Sequence, residues 1–360
     1  MLGYSSLIVL ICQYPHTVRF TEELHTCTVH SRLLKLELHA SLCFPRLPFN
    51  HDVFATTDPR LPTIMASEDE RYRQSSQYRL WSFTPAGLQD LRDKTNSLAQ
   101  QQIAARLSSD PPPDFLTAAE EARLVRFFTI ELIRAAQFCE LPTEIRSTAA
   151  VFFRRFYVTN SIMTYPPTEL LKTSLFFGCK AEGFYMRLSR LAEKLSGTTA
   201  EQILAGEFLL CQGMRFAFDV RHPFRALEGA ILEMRKRLPS DEDTLRRVNN
   251  AHARAREILK FSSLVTDVYF HYTPSQIMMA ALQMADAEMV EMLVPGAPSG
   301  EDGAHDRIGA HTAIRDKIFA TIEACRAMLE EEPPERMAEY WETVSCTFSA
   351  WPAGTRCGLI

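Results

Sequence analysis

Two stretches of this sequence open alike. Residues 165–171 read YPPTELL and residues 272–278 read YTPSQIM. Both follow one template: tyrosine, any residue, proline, serine or threonine, glutamate or glutamine, then two apolar residues. Early proline with a serine or threonine as N-cap predicts a helix start in each copy. The segments that follow, ELLKTSLFFGC and QIMMAALQMA, are apolar on most faces. A helix apolar all round is buried by other helices. The repetition therefore predicts two similar helical bundles in tandem, each wrapped around a buried helix that the motif starts.

The rest of the chain carries the same period. From Thr84 onward helical spacing dominates and strand-like alternation is almost absent, so the predicted fold class is all-α. Thr117 with Glu120, and Thr198 with Glu201, read as capping boxes. About five helices are expected between 117 and 216. In the second half HPFRALEGAILEMRKRL, DEDTLRRVNNAHARAREILKFSSLVTDVYF, TPSQIMMAALQMADAEMVEML and AIRDKIFATIEACRAMLEEE each read as one helix, with VPGAPSGEDGAHDRIGAH as a loop. The expected organisation is an N-terminal helical segment at 65–116, a first bundle at 117–218, a second at 222–331 and a tail at 332–360. Residues 1–64 hold three of the nine cysteines and five of the ten histidines but no helical period. They are expected to be a poorly ordered extension or a mis-assigned start.

Composition narrows the function. A net charge of −5 argues against a general nucleic-acid or membrane-surface binder, which needs excess lysine and arginine. No cysteine pair stands at CxxC spacing, so neither a disulfide framework nor a zinc site is expected, and Cys179 and Cys211 read as small core residues. LIVLIC at 7–12 lacks the basic flank of a signal peptide. No phosphate-binding glycine loop, HExxH or GxSxG motif occurs. His222, His252 and His271 fall on separate elements with no carboxylate at ligand spacing, and DEDT at 241–244 reads as a solvated helix start. No enzyme chemistry, metal or cofactor is expected.

Two charged residues stand out. At about 100° per residue Glu207 falls on one stripe with Ile203, Leu210, Cys211 and Met214. An unpaired carboxylate buried there costs several kcal/mol, so its partner is either inside this chain or on another molecule. Lys180 closes the buried helix ELLKTSLFFGCK, where its ammonium also suits the helix C-terminal dipole. Thr84-Pro85 is a candidate proline-directed phosphosite, or simply a helix start with Thr84 as its cap.

The tandem repeat and these two charges resemble the cyclins, and among them the cyclin H type. The resemblance is carried by SSQYRLW (75–81), FFRRFYVTNSIMTYPP (152–167), CKAEGF (179–184), ILAGEFLL (203–210), HPFRALEG (222–229) and TDVYFHYTPSQI (266–277). It implies two five-helix cyclin boxes with flanking terminal helices. It also implies a nuclear regulatory subunit of the CDK-activating kinase of TFIIH, in which Lys180 and Glu207 contact the kinase. The implied partners are the kinase catalytic subunit, a RING-finger assembly factor and the TFIIH core; the implied substrates are RNA polymerase II C-terminal repeats and other cyclin-dependent kinases. Many cell-cycle cyclins pair an early arginine with an aspartate just before the RF of the box. Arg154 stands at that aspartate position, so that pair is absent. The segment 1–64 and the tail after 342 do not follow the family and are expected to be gene-model errors if not genuine extensions. Two other readings share the fold: a cyclin C-like subunit of the Mediator kinase module, which TPSQI disfavours, and a TFIIB-like DNA-binding factor, which the acidic balance and missing CxxC pairs disfavour.

Overall fold

The computed structural model describes residues 68–107, 114–195, 197–294 and 305–331. The extension 1–64, the tail 332–360 and the triple proline at 111–113 lie outside them. Every element among the described residues is a helix.

Three helices, α1 (Glu68–Gln74), α2 (Ser76–Trp81) and α3 (Pro85–Leu107), precede the first bundle. That bundle comprises α4 (Ala118–Phe138), α5 (Thr143–Thr159), α6 (Pro167–Ala181), α7 (Leu188–Lys194), α8 (Ala200–Ala205) and α9 (Glu207–Gly213). The capping box of Thr117 and Glu120 starts α4 as expected. The motif helix α6 shares the centre with α5: eleven of its fifteen residues are buried, against thirteen of seventeen in α5. Both pack on α4, and α8 and α9 close over α6.

The second bundle comprises α10 (Phe224–Arg237), α11 (Glu242–Lys260), α12 (Ser262–Val265), α13 (Val268–His271), α14 (Pro274–Ala285), α15 (Ala287–Leu293) and α16 (His305–Glu330). Its motif helix α14 packs against α10, α11, α15 and α16. Asp241 caps α11 by accepting from the Thr244 amide, as the acidic start predicts.

Several expectations are corrected. The motif's proline is the first helical residue in both copies, so the cap is the residue between tyrosine and proline. In the second copy that residue is Thr273, which forms a capping box with Gln276. In the first it is Pro166, which offers no side-chain cap. The other capping box uses Thr199 and Gln202, one residue later than Thr198 and Glu201. The segment 241–271, read as one helix, is three, because the chain leaves helical geometry at Phe261 and again at Thr266. The segment 274–293 is two, because Asp286 turns extended and caps α15 with its own carboxylate. The last helix reaches back to His305, into the expected loop.

The aspartate missing from the first box has a replacement on the second. Asp267, between α12 and α13, accepts two bonds from Arg92 of α3, at 2.8 and 2.9 Å. It also accepts from Arg154 of α5, whose guanidinium is further held by the carbonyls of Leu264 and Thr266. Burial pulls the Asp267 carboxyl upward, but the charges of Arg154 and Arg92 outweigh it and hold the group below the usual carboxylate range. Burial lowers Arg154 to about 10 despite Asp267, so the guanidinium stays charged at neutral pH. One ion cluster thus joins α3 and both bundles.

A hydrogen-bonded network around a neutral imidazole makes a second joint. His222, at the start of the second bundle, bonds Thr148 of α5 and Tyr269 of α13, each at 2.8 Å. Thr148 donates onward to the carboxylate of Glu182, which ends α6. Burial, with the charge of Arg155 added, lowers His222 to about 3, so its imidazole is neutral.

Candidate functional site

Lys180 is the next-to-last residue of α6 and Glu207 the first of α9. Their positions follow from how α8 and α9 cross α6. The Thr173 hydroxyl donates to the Ile203 carbonyl at 3.0 Å. A Cβ on Gly206 would stand 2.6 Å from that same hydroxyl, so the crossing requires glycine. The expected single helix is interrupted at Gly206, and Glu207 begins α9.

The two charges meet: Lys180 Nζ donates to Glu207 Oε1 at 2.6 Å. The partner of Glu207 is therefore internal, as one of the two sequence alternatives allowed. The lysine is set from below as well, its ammonium lying 4.7 Å from the centroid of the Phe176 ring. The side chains keep 22% and 9% of their exposure. Among the described residues no hydrogen bond reaches Oε2 of Glu207 or the remaining donors of Lys180. Neither Glu207 Oε2 nor Lys180 Nζ is buried without a partner, so the pair's remaining bonding capacity faces solvent.

Its surroundings are apolar and open. Among the described residues, five of the eleven exposed large hydrophobics, Phe184, Tyr185, Leu204, Phe208 and Phe216, fall between 184 and 216, on the elements that carry or flank the pair. Phe208 and Phe216 are 64% and 57% exposed, and their rings stand edge to face with centroids 6.3 Å apart. Phe216 continues inward to Phe218 at 6.2 Å, and Phe218 to Phe177 at 5.1 Å. Exposed aromatics beside an incompletely bonded ion pair have the composition of an interface centre. Sequence reading missed both: in ILAGEFLLCQGMRFAF they are indistinguishable from core residues, since exposure depends on which helices cover the stripe.

The third candidate lies elsewhere. Thr84 is exposed, and its hydroxyl accepts from the Gly87 amide at 3.1 Å, as a helix cap. Its neighbour Phe83 is fastened to the second bundle, donating to the Phe270 carbonyl at 2.7 Å and bonding His271 Nδ1 at 2.8 Å. His252 pairs with Glu228 at 3.0 Å, so all three singled-out histidines have packing partners. Among the described residues no group of histidine, cysteine and acidic side chains is placed to hold a metal. Cys179 and Cys211 are buried and form no disulfide.

Residues 222–330 match the cyclin C-terminal domain family. The chain is 33% identical to cyclin mcs2 of Schizosaccharomyces pombe, over 59% of this chain and 69% of that protein. It is 31% identical to cyclin CCL1 of Saccharomyces cerevisiae, over 67% of this chain and 65% of that one, so the match spans just under two thirds of that relative's length. Among solved structures, a chain of the CAK complex of Chaetomium thermophilum is 52% identical, with a TM-score of 0.69 over 78% of this chain and 87% of that one. By these matches, and by the all-helical tandem fold, the chain belongs to the cyclin family and within it to the cyclin H type.

Proposed function

We propose that the chain is the regulatory subunit that binds and activates a cyclin-dependent kinase of the CDK-activating kinase and TFIIH type, with no catalytic residue of its own. The pair of Lys180 and Glu207, with bonding capacity still facing solvent among exposed aromatics, supports this reading. A kinase helix laid on that face would cover Phe208 and Phe216 and supply partners for Glu207 Oε2 and the free donors of Lys180. Seating such a helix completes the lysine–glutamate ion pair that phosphoryl transfer requires inside a protein kinase. In this reading residues 117–218 and 222–331 are the two cyclin boxes. The further partners are a RING-finger assembly factor and the TFIIH core, and the place of action is the nucleus. The product is phosphorylated RNA polymerase II C-terminal repeats, which supports transcription initiation.

The test is recovery of the chain with its kinase, followed by an activity assay. Glu207→Ala and Lys180→Ala are each expected to keep the helical circular dichroism and to weaken kinase binding by about 2–5 kcal/mol. A folded double variant that activates the kinase normally would place the interface on another face. The Mediator-type reading predicts a different bound kinase, so the same recovery separates the two. Thr84 is carried as a phosphosite: phosphate there adds about −1.5 to −2 charge at the start of α3. Mass spectrometry of the purified complex showing no phosphate leaves Thr84 as a cap alone.

A further inference from the structure

We infer that Gln77 and Trp81, which precede the first bundle, are positioning residues for Phe216; the inference rests on the docking reading above. Phe216 and its neighbour Arg215 both have left-handed backbone, with φ of 54° and 53°. Two such residues in succession are rare outside glycine, and a bulky aromatic there is an outlier. It persists only where the surroundings over-determine it. The exposed ring gains little burial in return, so the fold alone does not call for phenylalanine at this position.

The surroundings that hold the turn come largely from α2. Trp81 is 1% exposed and touches both sides of Phe216. The guanidinium of Arg215 lies 5.5 Å from its ring centroid, and Ala217 shares its buried cluster. Arg155, also 5.5 Å from that ring, donates to the carbonyls of Ala217 and Asp219, each at 3.2 Å. Gln77, 1% exposed, clamps the chain just beyond: its Oε1 accepts from the Arg221 amide at 2.6 Å and its Nε2 donates to the Arg221 carbonyl at 3.4 Å. From the other side, a Cβ on Gly213 would stand 2.2 Å from the ring of Phe156, so α9 ends hard against α5. The turn is fixed at its start by α5 and across its far side by α2. Phe216 is thereby presented next to Phe208 as a ring already ordered for contact, which lowers the ordering cost of binding.

A double-mutant cycle on the full chain, titrated with the purified kinase subunit, tests this. Phe216→Ala is expected to weaken binding about tenfold without lowering Tm. Gln77→Ala is expected to weaken binding by roughly fivefold in the wild-type background and to add nothing in the Phe216→Ala background. Gln77→Glu keeps an acceptor for the Arg221 amide but replaces the donor to the Arg221 carbonyl with a second acceptor in a buried place, and is expected to weaken binding at least as much as Gln77→Ala. Equal losses from Gln77→Ala in both backgrounds, or normal binding by folded Gln77→Ala, overturn the inference. If Phe216→Ala binds normally while Glu207→Ala does not, the docking reading stands and this inference falls. If neither weakens binding, both fall.

Discussion

The two bundles start their motif helices on the same template and finish them differently. In the second, α14 is covered by the chain itself: α16 packs along it and buries Ile322, Cys325 and Leu329. In the first, α6 runs out to Lys180, and beside it the chain leaves Phe208 and Phe216 exposed. The second bundle also leaves Leu232, Leu245, Ile314 and Ile318 exposed, but these are all aliphatic, whereas the first gathers exposed aromatics on the elements that carry or flank an ion pair. The proposed function assigns docking to that first copy and so divides the work between the two.

The sharpest way to break that division is at the seam between the bundles. Asp267→Ala leaves Arg92 and Arg154 without their carboxylate, and Arg154 is 4% exposed. Removing one partner of a buried ion cluster costs about 3–5 kcal/mol. Thermal unfolding is expected to drop accordingly, and kinase binding to fall only because less of the chain is folded. An unchanged Tm would mean that the bundles do not depend on this joint.

The division itself predicts opposite outcomes for two side chains. Ile322→Ala, in the helix that covers α14, is expected to cost about 2–5 kcal/mol of stability and to leave the affinity of the folded chain for kinase unchanged. Glu207→Ala is expected to do the reverse, with its main effect on binding. Denaturant unfolding and kinase titration on both variants make the comparison, and it fails if Ile322→Ala alters affinity as much as Glu207→Ala does.

The joint at His222 gives a pH dependence. His222 has a folded pKa of about 3, below its unfolded value of about 6.5. The unfolded chain therefore binds the proton first, and stability is lost as pH falls from about 6.5 towards about 3. At pH 5 the loss is on the order of 2 kcal/mol. His222→Gln is expected to remove that part of the acid slope, seen as a smaller fall in Tm between pH 7 and pH 5 than in the wild type. Equal slopes would show that the imidazole does not stay neutral in the folded chain.

Some of this was legible in the residues and some was not, for physical reasons. Helical class, tandem organisation and the box at Thr117 and Glu120 are local properties, carried by spacing within a few residues. That Glu207 needs a partner was legible from a charge on an apolar stripe, whereas the close approach of Gly206 to Thr173 on another helix was not. The capping frame slipped by one because Thr198 and Thr199 are adjacent, and each has an acid or amide three residues on. The seam was not legible: Arg92 and Asp267 are 175 residues apart, and no periodicity links them. The exposure of Phe208 and Phe216 was equally hidden, because their stretch has core composition and only the arrangement of its neighbours leaves it open.

The smallest expected effects sit where the copies look most alike. Thr273 caps α14 with a full capping box, so Thr273→Ala is expected to cost about 1 kcal/mol. The matching residue, Pro166, has no side-chain oxygen, yet its φ of −59° suits the position, and Pro167 follows it. Two prolines in succession restrict the unfolded chain, which stabilises the fold by about 0.4–1 kcal/mol per compatible site. Pro166→Thr would place a threonine three residues before Glu169 and so create the missing box. Its gain as a cap and its loss of chain restriction are similar in size, so the net change is expected to stay within about 0.5 kcal/mol of zero. The two copies would then reach the same helix start by different means, one by bonding the folded helix and the other by limiting the unfolded chain. A rise in Tm for Pro166→Thr as large as the fall for Thr273→Ala would refute that equivalence and show the first motif to be an uncapped helix start.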